Sequence, residues 1–271
     1  MVDFTRAHER LVQRELPGTR RSFAGPGGRA VEVLVPPLAS TRDSLDLVVH
    51  FHGAAWLPLQ AVSALGDQLG AAVNLGAGSS AYRLPFTDPA SFDSLLTGIA
   101  REASAVAGHP VRVGRVTLSG FSAGYGAVRA ILTDPRHFAR VGAVLLLDGI
   151  HASYVPENRP LADGGVIDST NLVTFASFAR AATRGEKRFV IAHSEIFPGS
   201  YASTTESTDW LLASLGLKRA PVLQWGPRGM QQLSEVRAGG LTVLGFAGPS
   251  APDHIDQLHA MPELLARLLG R

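Results

Sequence analysis

The sequence predicts an α/β protein with a mostly parallel, doubly wound sheet that begins with an antiparallel hairpin. Short apolar runs typical of buried strands alternate with segments of helical spacing, which is the pattern of strands joined by helices. Crossovers between parallel strands are nearly always right-handed, so helices are expected on both faces of the sheet. The 271 residues suit one large domain of this class or two small ones, and no long linker interrupts the pattern. We therefore expect a single domain over residues 1–271.

The composition excludes several classes of protein. Hydrophobic residues make up 45% of the chain and charged residues 18%, whereas a disordered chain would be poorer in apolar residues. The chain has no Cys, which excludes disulfides, Cys-ligated zinc, iron–sulfur clusters and a Cys nucleophile. The 25 basic and 23 acidic residues give a net charge of +2 and form no long basic run, so we expect no nucleic-acid partner.

The sequence carries no evident membrane or export signal. No apolar run reaches the roughly 18 residues that a membrane-spanning helix needs, so we expect no membrane span. The N-terminal stretch MVDFTRAHERLVQREL is charged throughout and lacks the apolar part of a secretory signal peptide. These features favour a cytoplasmic protein.

Turn residues and apolar spacing place the elements in chain order. Arg20–Phe23 and Ala30–Val35 flank a Gly-Pro-Gly-Gly turn and predict the hairpin. The continuous apolar run Leu45–Phe51 predicts a strand buried on both faces. Further strands are predicted at Ala71–Leu75, Val113–Leu118, Val141–Leu147, Phe189–Ala192 and Leu241–Phe246. Helices are predicted at Trp56–Leu69, from Asp88-Pro89 onward, and at Ser122–Leu132, Asn171–Thr183, Thr204–Leu215 and Pro262–Leu269.

The residues that follow each predicted strand are the candidates for a functional site, because ligands bind beyond the carboxyl ends of the strands in such sheets. Val113–Leu118 is followed by Gly120-Phe121-Ser122-Ala123-Gly124, a G-x-S-x-G sequence between a strand and a helix. In this motif a sharp turn lifts the serine hydroxyl clear of the sheet, and the small flanking residues let strand and helix approach closely. The pattern predicts that Ser122 is a nucleophile and that the Ala123 N–H donates to an oxyanion. An ordinary Gly-rich turn is the alternative.

The loop after Leu45–Phe51 is the candidate for a second oxyanion donor. An oxyanion hole needs a second N–H from a loop that follows an earlier strand, and here His52-Gly53 is followed by small residues. Ala54 is the favoured donor and Ala55 the second choice. His50 and His52 are interpreted as structural, because no nearby carboxylates complete a metal site. We therefore expect no metal and no other cofactor.

His254, which follows the last predicted strand, is the candidate general base. The base must take the serine proton and later give it to the leaving group. We expect a mobile loop after Leu241–Phe246 to carry His254 to the serine. His259 is the alternative base, but it lies five residues further on, where a helix is expected to be forming.

Two carboxylates compete to orient this histidine. Asp148 directly follows the aliphatic strand Val141–Leu147, where a buried charge is costly unless it has a cationic or hydrogen-bonding partner. Glu195 follows the next strand and is the alternative acid, and Asp253 and Glu206 are weaker candidates. Asp148 is favoured, although it could instead cap the following turn.

These features together resemble the α/β-hydrolase family. The resemblance extends from about Arg29 to Leu269 and includes the His52-Gly53 loop, the elbow at Ser122 and the chain order of serine, acid and His254. In most members of the family the acid follows the later strand, which would favour Glu195, whereas a lipase-like minority carries the acid on the earlier strand. The resemblance thus implies an α/β-hydrolase fold and leaves the acid open.

The segment Gly149–Ser169 separates Asp148 from the next predicted helix. Many members of the family insert a large helical cap here, but this segment is too short for a lid of several helices, so we expect little or no cap. Aromatic residues near the strand ends are candidates for an apolar substrate pocket, and each is equally compatible with core packing. They are Trp56, Tyr82, Phe86, Phe121 and Tyr154.

The function expected from these residues is that of a serine esterase. Ser122 would attack an ester carbonyl, His254 would act as base and then acid, and water would hydrolyse the acyl-enzyme. Acyl transfer or amide hydrolysis with the same groups is the alternative chemistry. A non-catalytic binding protein on the same fold is the alternative class, but the serine, the histidine and the oxyanion loop are all present.

Overall fold

The computed structural model describes residues 6–271, which divide into two compact units. The first unit comprises residues 13–146 and 265–271, and the second comprises residues 6–12 and 147–264. The first five residues of the N-terminal stretch, in which no signal peptide was expected, lie outside the described residues. That the whole chain forms a single domain remains a prediction.

Strands and helices alternate through most of the chain, so the predicted α/β class is confirmed. The strands are β1 (Thr19–Ala24), β2 (Ala30–Val35), β3 (Ser44–Phe51), β4 (Leu69–Val73), β5 (Arg112–Phe121), β6 (Val141–Leu147), β7 (Tyr154–Val155), β8 (Val166–Ile167), β9 (Arg188–His193), β10 (Ala220–Trp225), β11 (Gln231–Ala238) and β12 (Leu241–Phe246). The α-helices are α1 (Trp56–Ser63), α2 (Ser79–Arg83), α3 (Pro89–Ala107), α4 (Tyr125–Thr133), α5 (Pro135–Arg140), α6 (Val173–Thr183), α7 (Thr204–Ser214), α8 (Ala251–His259) and α9 (Met261–Leu269). Within residues 6–271, no helix is both long and apolar enough to cross a membrane.

The first unit has the strand order β1-β2-β4-β3-β5-β6. β1 and β2 form the predicted antiparallel hairpin, whereas β3 pairs parallel with both β4 and β5. Parallel strands are typically buried on both faces, and residues 47–51 of β3 are buried in this way. Because β3 and β5 run side by side, with Phe51 opposite Gly120, they end at the same edge. The loop that begins at His52 therefore lies next to the turn that holds Ser122.

The second unit has the strand order β9-β12-β11-β10. β9 and β12 are parallel, and β11 and β10 extend the order with antiparallel pairs. The sequence analysis did not predict β10 and β11. Their residues, APVLQW and QQLSEVRA, are mostly exposed or half-buried, so neither strand shows the apolar run that marks a buried strand.

The helix predicted over Trp56–Leu69 is shorter in the structure. α1 ends at Ser63, and the chain turns at Gly66, whose φ of +81° is a conformation that suits glycine. Leu69 instead begins β4 and is fully buried there. Leu69 continues the helical spacing of α1 although it belongs to a strand. Apolar periodicity alone cannot tell a buried strand residue from the last residue of a helix.

The segment Gly149–Ser169 contains no α-helix. Its regular structure consists of β7 and β8, which pair antiparallel with Val155 opposite Val166, and a 3-10 turn at Leu161–Asp163. The expected lack of a large helical cap at this point agrees with the structure.

Candidate active site

Ser122 lies on a sharp turn between β5 and α4. Its φ of +45° is in the left-handed region, which costs a residue with a side chain about 1–3 kcal/mol unless its surroundings hold it there. The turn is tight because its glycines have no side chains. A Cβ on Gly124 would lie 2.1 Å from the Phe51 carbonyl oxygen, and one on Gly120 would lie 3.0 Å from the Gly124 carbonyl carbon. The predicted nucleophile therefore occupies a strained, closely packed elbow.

The residues predicted as oxyanion donors lie in two loops of the first unit. Ala123 belongs to the 3-10 turn Ser122–Gly124 directly before α4. Ala54 is exposed in the loop between β3 and α1, and Ala55 is the residue before α1. The parallel pairing of β3 and β5 brings both loops to the same edge. The role of each N–H group as a donor stays a prediction.

Positive φ values concentrate at the strand ends where the sequence predicts a functional site. Five described residues other than glycine have a positive φ, and three of them directly follow strands: His52 after β3, Ser122 after β5 and Asp148 after β6. Residues held in this conformation cluster at functional sites, because the surrounding structure must overcome the strain. The backbone thus marks these three strand ends independently of the side chains.

His50 and His52 bind groups of the protein itself, as their structural interpretation predicts. The buried His50 donates from Nε2 to the His52 carbonyl oxygen at 2.7 Å and accepts at Nδ1 from the Ser119 hydroxyl at 2.9 Å. Burial lowers the pKa of His50 to about 4, so its imidazole is neutral at ordinary pH. His52 Nδ1 lies 2.8 Å from the Tyr82 hydroxyl, and its ring stacks on Phe121.

Asp148 and His254 form a hydrogen-bonded pair in the second unit. Asp148 is 1% exposed, and its Oδ2 lies 2.7 Å from His254 Nδ1. A carboxylate only accepts hydrogen bonds, so Nδ1 carries the proton, and in the neutral imidazole Nε2 is the nitrogen that can accept another. This is the arrangement of a general base with its orienting acid.

His254 lies on a helix rather than on the mobile loop expected from the sequence. It is in the first turn of α8, which begins at Ala251. Ser250 and Asp253 form a capping box, in which each side chain accepts from the other residue's backbone N–H. The cap fixes the start of α8 and so fixes the position of His254.

Ser194 and Thr204, which the sequence analysis missed, hold the Asp148 carboxylate. Its Oδ1 accepts from the Ser194 N–H at 3.1 Å and from the Thr204 hydroxyl at 2.7 Å, and its Oδ2 accepts from the Ser194 hydroxyl at 2.5 Å. Burial opposes ionisation, but the hydrogen bonds from His254, Ser194 and Thr204 outweigh it and lower the pKa of Asp148 to about 2. The ordinary pKa is 3.8, so the ionised Asp148 carboxylate contributes stability at neutral pH, and this contribution is lost as the pH falls from about 3.8 to about 2.

One of these two partners had a signal in the sequence. Ser194 directly follows β9, so the rule that site residues follow strands could have identified it. Thr204 is the first residue of α7 and reaches Asp148 only through the tertiary fold. No local pattern marks it.

The alternative acids make hydrogen bonds elsewhere. Glu195 is exposed, and its Oε2 accepts from the Gly248 N–H at 3.2 Å. Asp253 accepts from Ser250 within the capping box, and Glu206 accepts from the Tyr154 hydroxyl at 2.8 Å. The geometry of the second unit therefore favours Asp148 as the partner of His254.

The alternative base, His259, is also occupied by a structural contact. It is buried at the end of α8, and its Nδ1 accepts from the Leu11 N–H at 2.9 Å. Burial lowers the pKa of His259, with a further contribution from the Arg10 charge. This histidine ties the N-terminal residues to α8.

Residues 6–12, here called the N-terminal strap, bind the helix that carries His254. The carboxylate of Asp256 is fully buried and is bound by the guanidinium groups of Arg6 and Arg10 and by His8 Nδ1 at 2.8 Å. Arg6 also binds Asp253 at 2.9 Å. His8, Asp253 and Asp256 could offer a metal ion three ligand atoms within 4.8 Å of one another, but the two arginines already neutralise these carboxylates.

The aromatic residues predicted to line a pocket differ in exposure. Trp56 is half-buried at the start of α1. The other four are at most 4% exposed and lie in the packed interior: Tyr82, Phe86, Phe121 and Tyr154. Their role as pocket residues stays a prediction, and Trp56 is the one with exposed surface.

Comparisons with known proteins identify the fold. No family model matches the chain, and no curated protein sequence matches it. S-formylglutathione hydrolase from Agrobacterium tumefaciens is 12% identical over 95% of this chain and 97% of its own, with a TM-score of 0.51. The ester hydrolase EH1AB1 from the metagenome of Lake Arreo is 13% identical, over 97% of this chain and 86% of its own, with a TM-score of 0.54. The α/β hydrolase LAE6, from the same metagenome, is 11% identical with the same coverage and TM-score. The protein thus has the α/β-hydrolase fold that the sequence predicts.

Proposed function

We propose that this protein is a serine hydrolase that cleaves carboxylic esters, with Ser122 as nucleophile, His254 as general base and Asp148 as orienting acid. The observation that carries the proposal is the buried Asp148 carboxylate, whose Oδ2 lies 2.7 Å from His254 Nδ1. Asp148 directly follows β6 and has a φ of +45°. The strained elbow at Ser122 supports it, and so does the similarity of fold to proteins described as an S-formylglutathione hydrolase and an ester hydrolase.

The proposed reaction begins when His254 Nε2 takes the proton from the Ser122 hydroxyl. The Ser122 oxygen forms a bond to the ester carbonyl carbon, and the carbonyl π electrons move onto its oxygen, which becomes an oxyanion. The N–H groups of Ala123 and Ala54 donate to this oxyanion. When the intermediate collapses, the bond to the alcohol oxygen breaks, and His254 gives its proton to the departing alcohol.

The acyl-enzyme is then hydrolysed by the same groups. His254 takes a proton from water, whose oxygen attacks the acyl carbon, and the protonated histidine returns the proton to Ser122 as the acid product leaves. Asp148 accepts from Nδ1 throughout and stabilises the imidazolium that forms in both halves of the reaction. Acyl transfer differs only in the nucleophile that enters, and amide hydrolysis only in the group that leaves.

Labelling and turnover together test this proposal. The protein is incubated with a fluorophosphonate probe, and the labelled residue is mapped by mass spectrometry. In parallel, hydrolysis of p-nitrophenyl esters of rising acyl length is measured, with an added alcohol and an amide analogue as separate arms. Labelling of Ser122 with ester turnover supports the proposal. Labelling of a different residue, or no turnover of any ester, would overturn it.

Metal chelation should leave the activity unchanged. The proposed steps use only protein groups, and the carboxylates of Asp253 and Asp256 are bound by arginines. We therefore expect the same rate of ester hydrolysis before and after dialysis against EDTA. Inhibition that added zinc or calcium reverses would contradict the proposed mechanism.

Short acyl esters should be better substrates than long-chain triglycerides, with no activation at a lipid interface. The segment Gly149–Ser169 contains no α-helix that could form a large lid, so no closed state exists there for an interface to open. The measurement is the rate as a function of ester concentration across the solubility limit. A sharp rise above that limit for a long-chain ester would show that a lid is built elsewhere.

A further inference from the structure

The carbonyl groups of His52 and Gly53 are each bound by a side chain from a neighbouring part of the first unit. His50 Nε2 donates to the His52 carbonyl oxygen at 2.7 Å, and Asn74 Nδ2 donates to the Gly53 carbonyl oxygen at 3.2 Å. His50 lies on β3, and Asn74 directly follows β4, the parallel neighbour of β3. Two consecutive peptide groups are therefore held by their carbonyl oxygens.

Holding a carbonyl group also sets the direction of the N–H group in the same peptide. The peptide bonds His52-Gly53 and Gly53-Ala54 are trans, because the cis peptide bond found in residues 6–271 is Val155-Pro156. In a trans peptide the C=O and N–H bonds point in opposite directions. The N–H groups of Gly53 and Ala54 therefore point away from His50 and Asn74. Among the described residues, neither N–H donates to another backbone group, and Ala54 is exposed.

The loop that carries these N–H groups packs beside the serine elbow. Gly124, two residues after Ser122, lies so close to Phe51 that a Cβ would come within 2.1 Å of the Phe51 carbonyl oxygen. The His52 ring stacks on Phe121, with ring centroids 5.8 Å apart. The two loops are thus fixed against each other within one unit.

We propose that His50 and Asn74 are positioning residues, which aim the N–H groups of Gly53 and Ala54 at the oxyanion that forms on Ser122. The inference rests on the proposed function and extends it, because it assigns the geometry of the oxyanion hole to two side chains that do not touch the substrate. Donors that are aimed in advance need no reorganisation when charge develops in the transition state.

The chemistry of both side chains suits this role. The His52 carbonyl can only accept, so His50 carries its proton on Nε2, and its Nδ1 accepts from the Ser119 hydroxyl. Asn74 accepts at Oδ1 from the Gly76 N–H and the Tyr82 hydroxyl, which leaves its amide group facing Gly53. Ser119 and Tyr82 thus fix the orientation of the two donors.

Variants of Asn74 test the proposal with little risk to folding, because Asn74 is exposed. Asn74→Asp keeps the Oδ1 acceptor for Gly76 and Tyr82 but loses the donor to Gly53. Asn74→Ala loses both without adding a charge, and Gln13→Glu adds the same charge at another exposed position as the control. At the buried His50, His50→Gln places an amide donor near the former Nε2, whereas His50→Leu removes the donor.

The readouts are kcat, KM and the affinity for an alkylboronic acid, which forms a tetrahedral adduct with an activated serine. We expect both Asn74 variants to lower kcat and boronate affinity by about 10- to 100-fold with little change in KM, somewhat less than the loss of a whole oxyanion donor. His50→Leu should likewise lower kcat and boronate affinity with little change in KM, and His50→Gln should recover most of this loss. Gln13→Glu should match the wild type. If these residues had only a structural role, the variants would change the melting temperature without a selective loss of kcat and boronate affinity.

The experiment separates failure of this inference from failure of the proposed function. If the wild type hydrolyses no ester and its Ser122 resists the fluorophosphonate, the proposed function is wrong and the inference falls with it. If the wild type is active but the folded Asn74 variants keep its kcat and boronate affinity, the inference alone is wrong. A loss in Asn74→Asp that Asn74→Ala does not share would assign the effect to charge and would also overturn it.

Discussion

Ser122→Ala should abolish ester hydrolysis while the protein stays folded. The variant loses the oxygen that forms the acyl-enzyme, and removal of such a nucleophile typically lowers turnover by about 10⁴- to 10⁶-fold. Ser122→Gly is the matched variant, because glycine lacks the hydroxyl and also relieves the strain of the +45° φ. Both variants should therefore be inactive for the same chemical reason, although their backbones differ in strain.

The measurement is turnover of a p-nitrophenyl ester, together with the melting temperature and fluorophosphonate labelling. Ser80→Ala, at an exposed position on α2, serves as the control and should keep both activity and labelling. If the Ser122→Ala variant retains more than a few per cent of the wild-type rate, Ser122 is not the nucleophile.

Asp148→Asn should lower turnover by about 10³- to 10⁴-fold and keep the fold. In the wild type, Asp148 Oδ1 accepts hydrogen bonds from the Ser194 N–H and the Thr204 hydroxyl. Because both groups are donors, the oxygen of the new amide is expected to take this position. The amide nitrogen then faces His254 and donates to Nδ1. This hydrogen bond places the imidazole proton on Nε2, where it blocks acceptance of the Ser122 proton.

Glu195→Gln is the comparison for this variant, because Glu195 follows β9 and is the alternative acid that the sequence offers. Glu195 is exposed, and its carboxylate accepts a hydrogen bond from the Gly248 N–H, so we expect a loss of at most about tenfold, as for a residue that acts through a neighbour. Both variants are assayed for kcat and melting temperature. If the larger loss belongs to Glu195→Gln, the acid lies on the later strand and Asp148 is a structural cap.

Local sequence was sufficient to predict the strands that precede the candidate residues and the tight turn at Ser122. The elbow requires small residues at fixed positions within five residues, and the apolar strand before it is visible in the same window. The choice between Asp148 and Glu195 could not be made locally, because Asp148 and His254 are 106 positions apart and meet only through the fold. Thr204 was beyond prediction for the same reason.

The sequence before His254 contains a helix-start signal, which contradicts the mobile loop predicted there. The sequence Ser250-Ala251-Pro252-Asp253 has the spacing of a capping box with proline in the first turn, which predicts a helix start. The structure begins α8 there. In contrast, β10 and β11 had no usable signal, since half-exposed strands without an apolar run resemble loops.

The N-terminal strap links the position of His254 to residues that are remote from it in the sequence, because the strap binds the helix that carries this histidine. Asp256 is buried two residues after His254 on α8, and its carboxylate is bound by the guanidinium groups of Arg6 and Arg10 and by His8 Nδ1. Removing one partner of a buried ion pair typically costs about 3–5 kcal/mol, because the remaining charge is left uncompensated. Detachment of the strap and local unfolding of α8 are therefore linked equilibria. Release of residues 6–12 from α8 is therefore expected to disturb the position of His254, although no residue of the strap is a proposed reacting group.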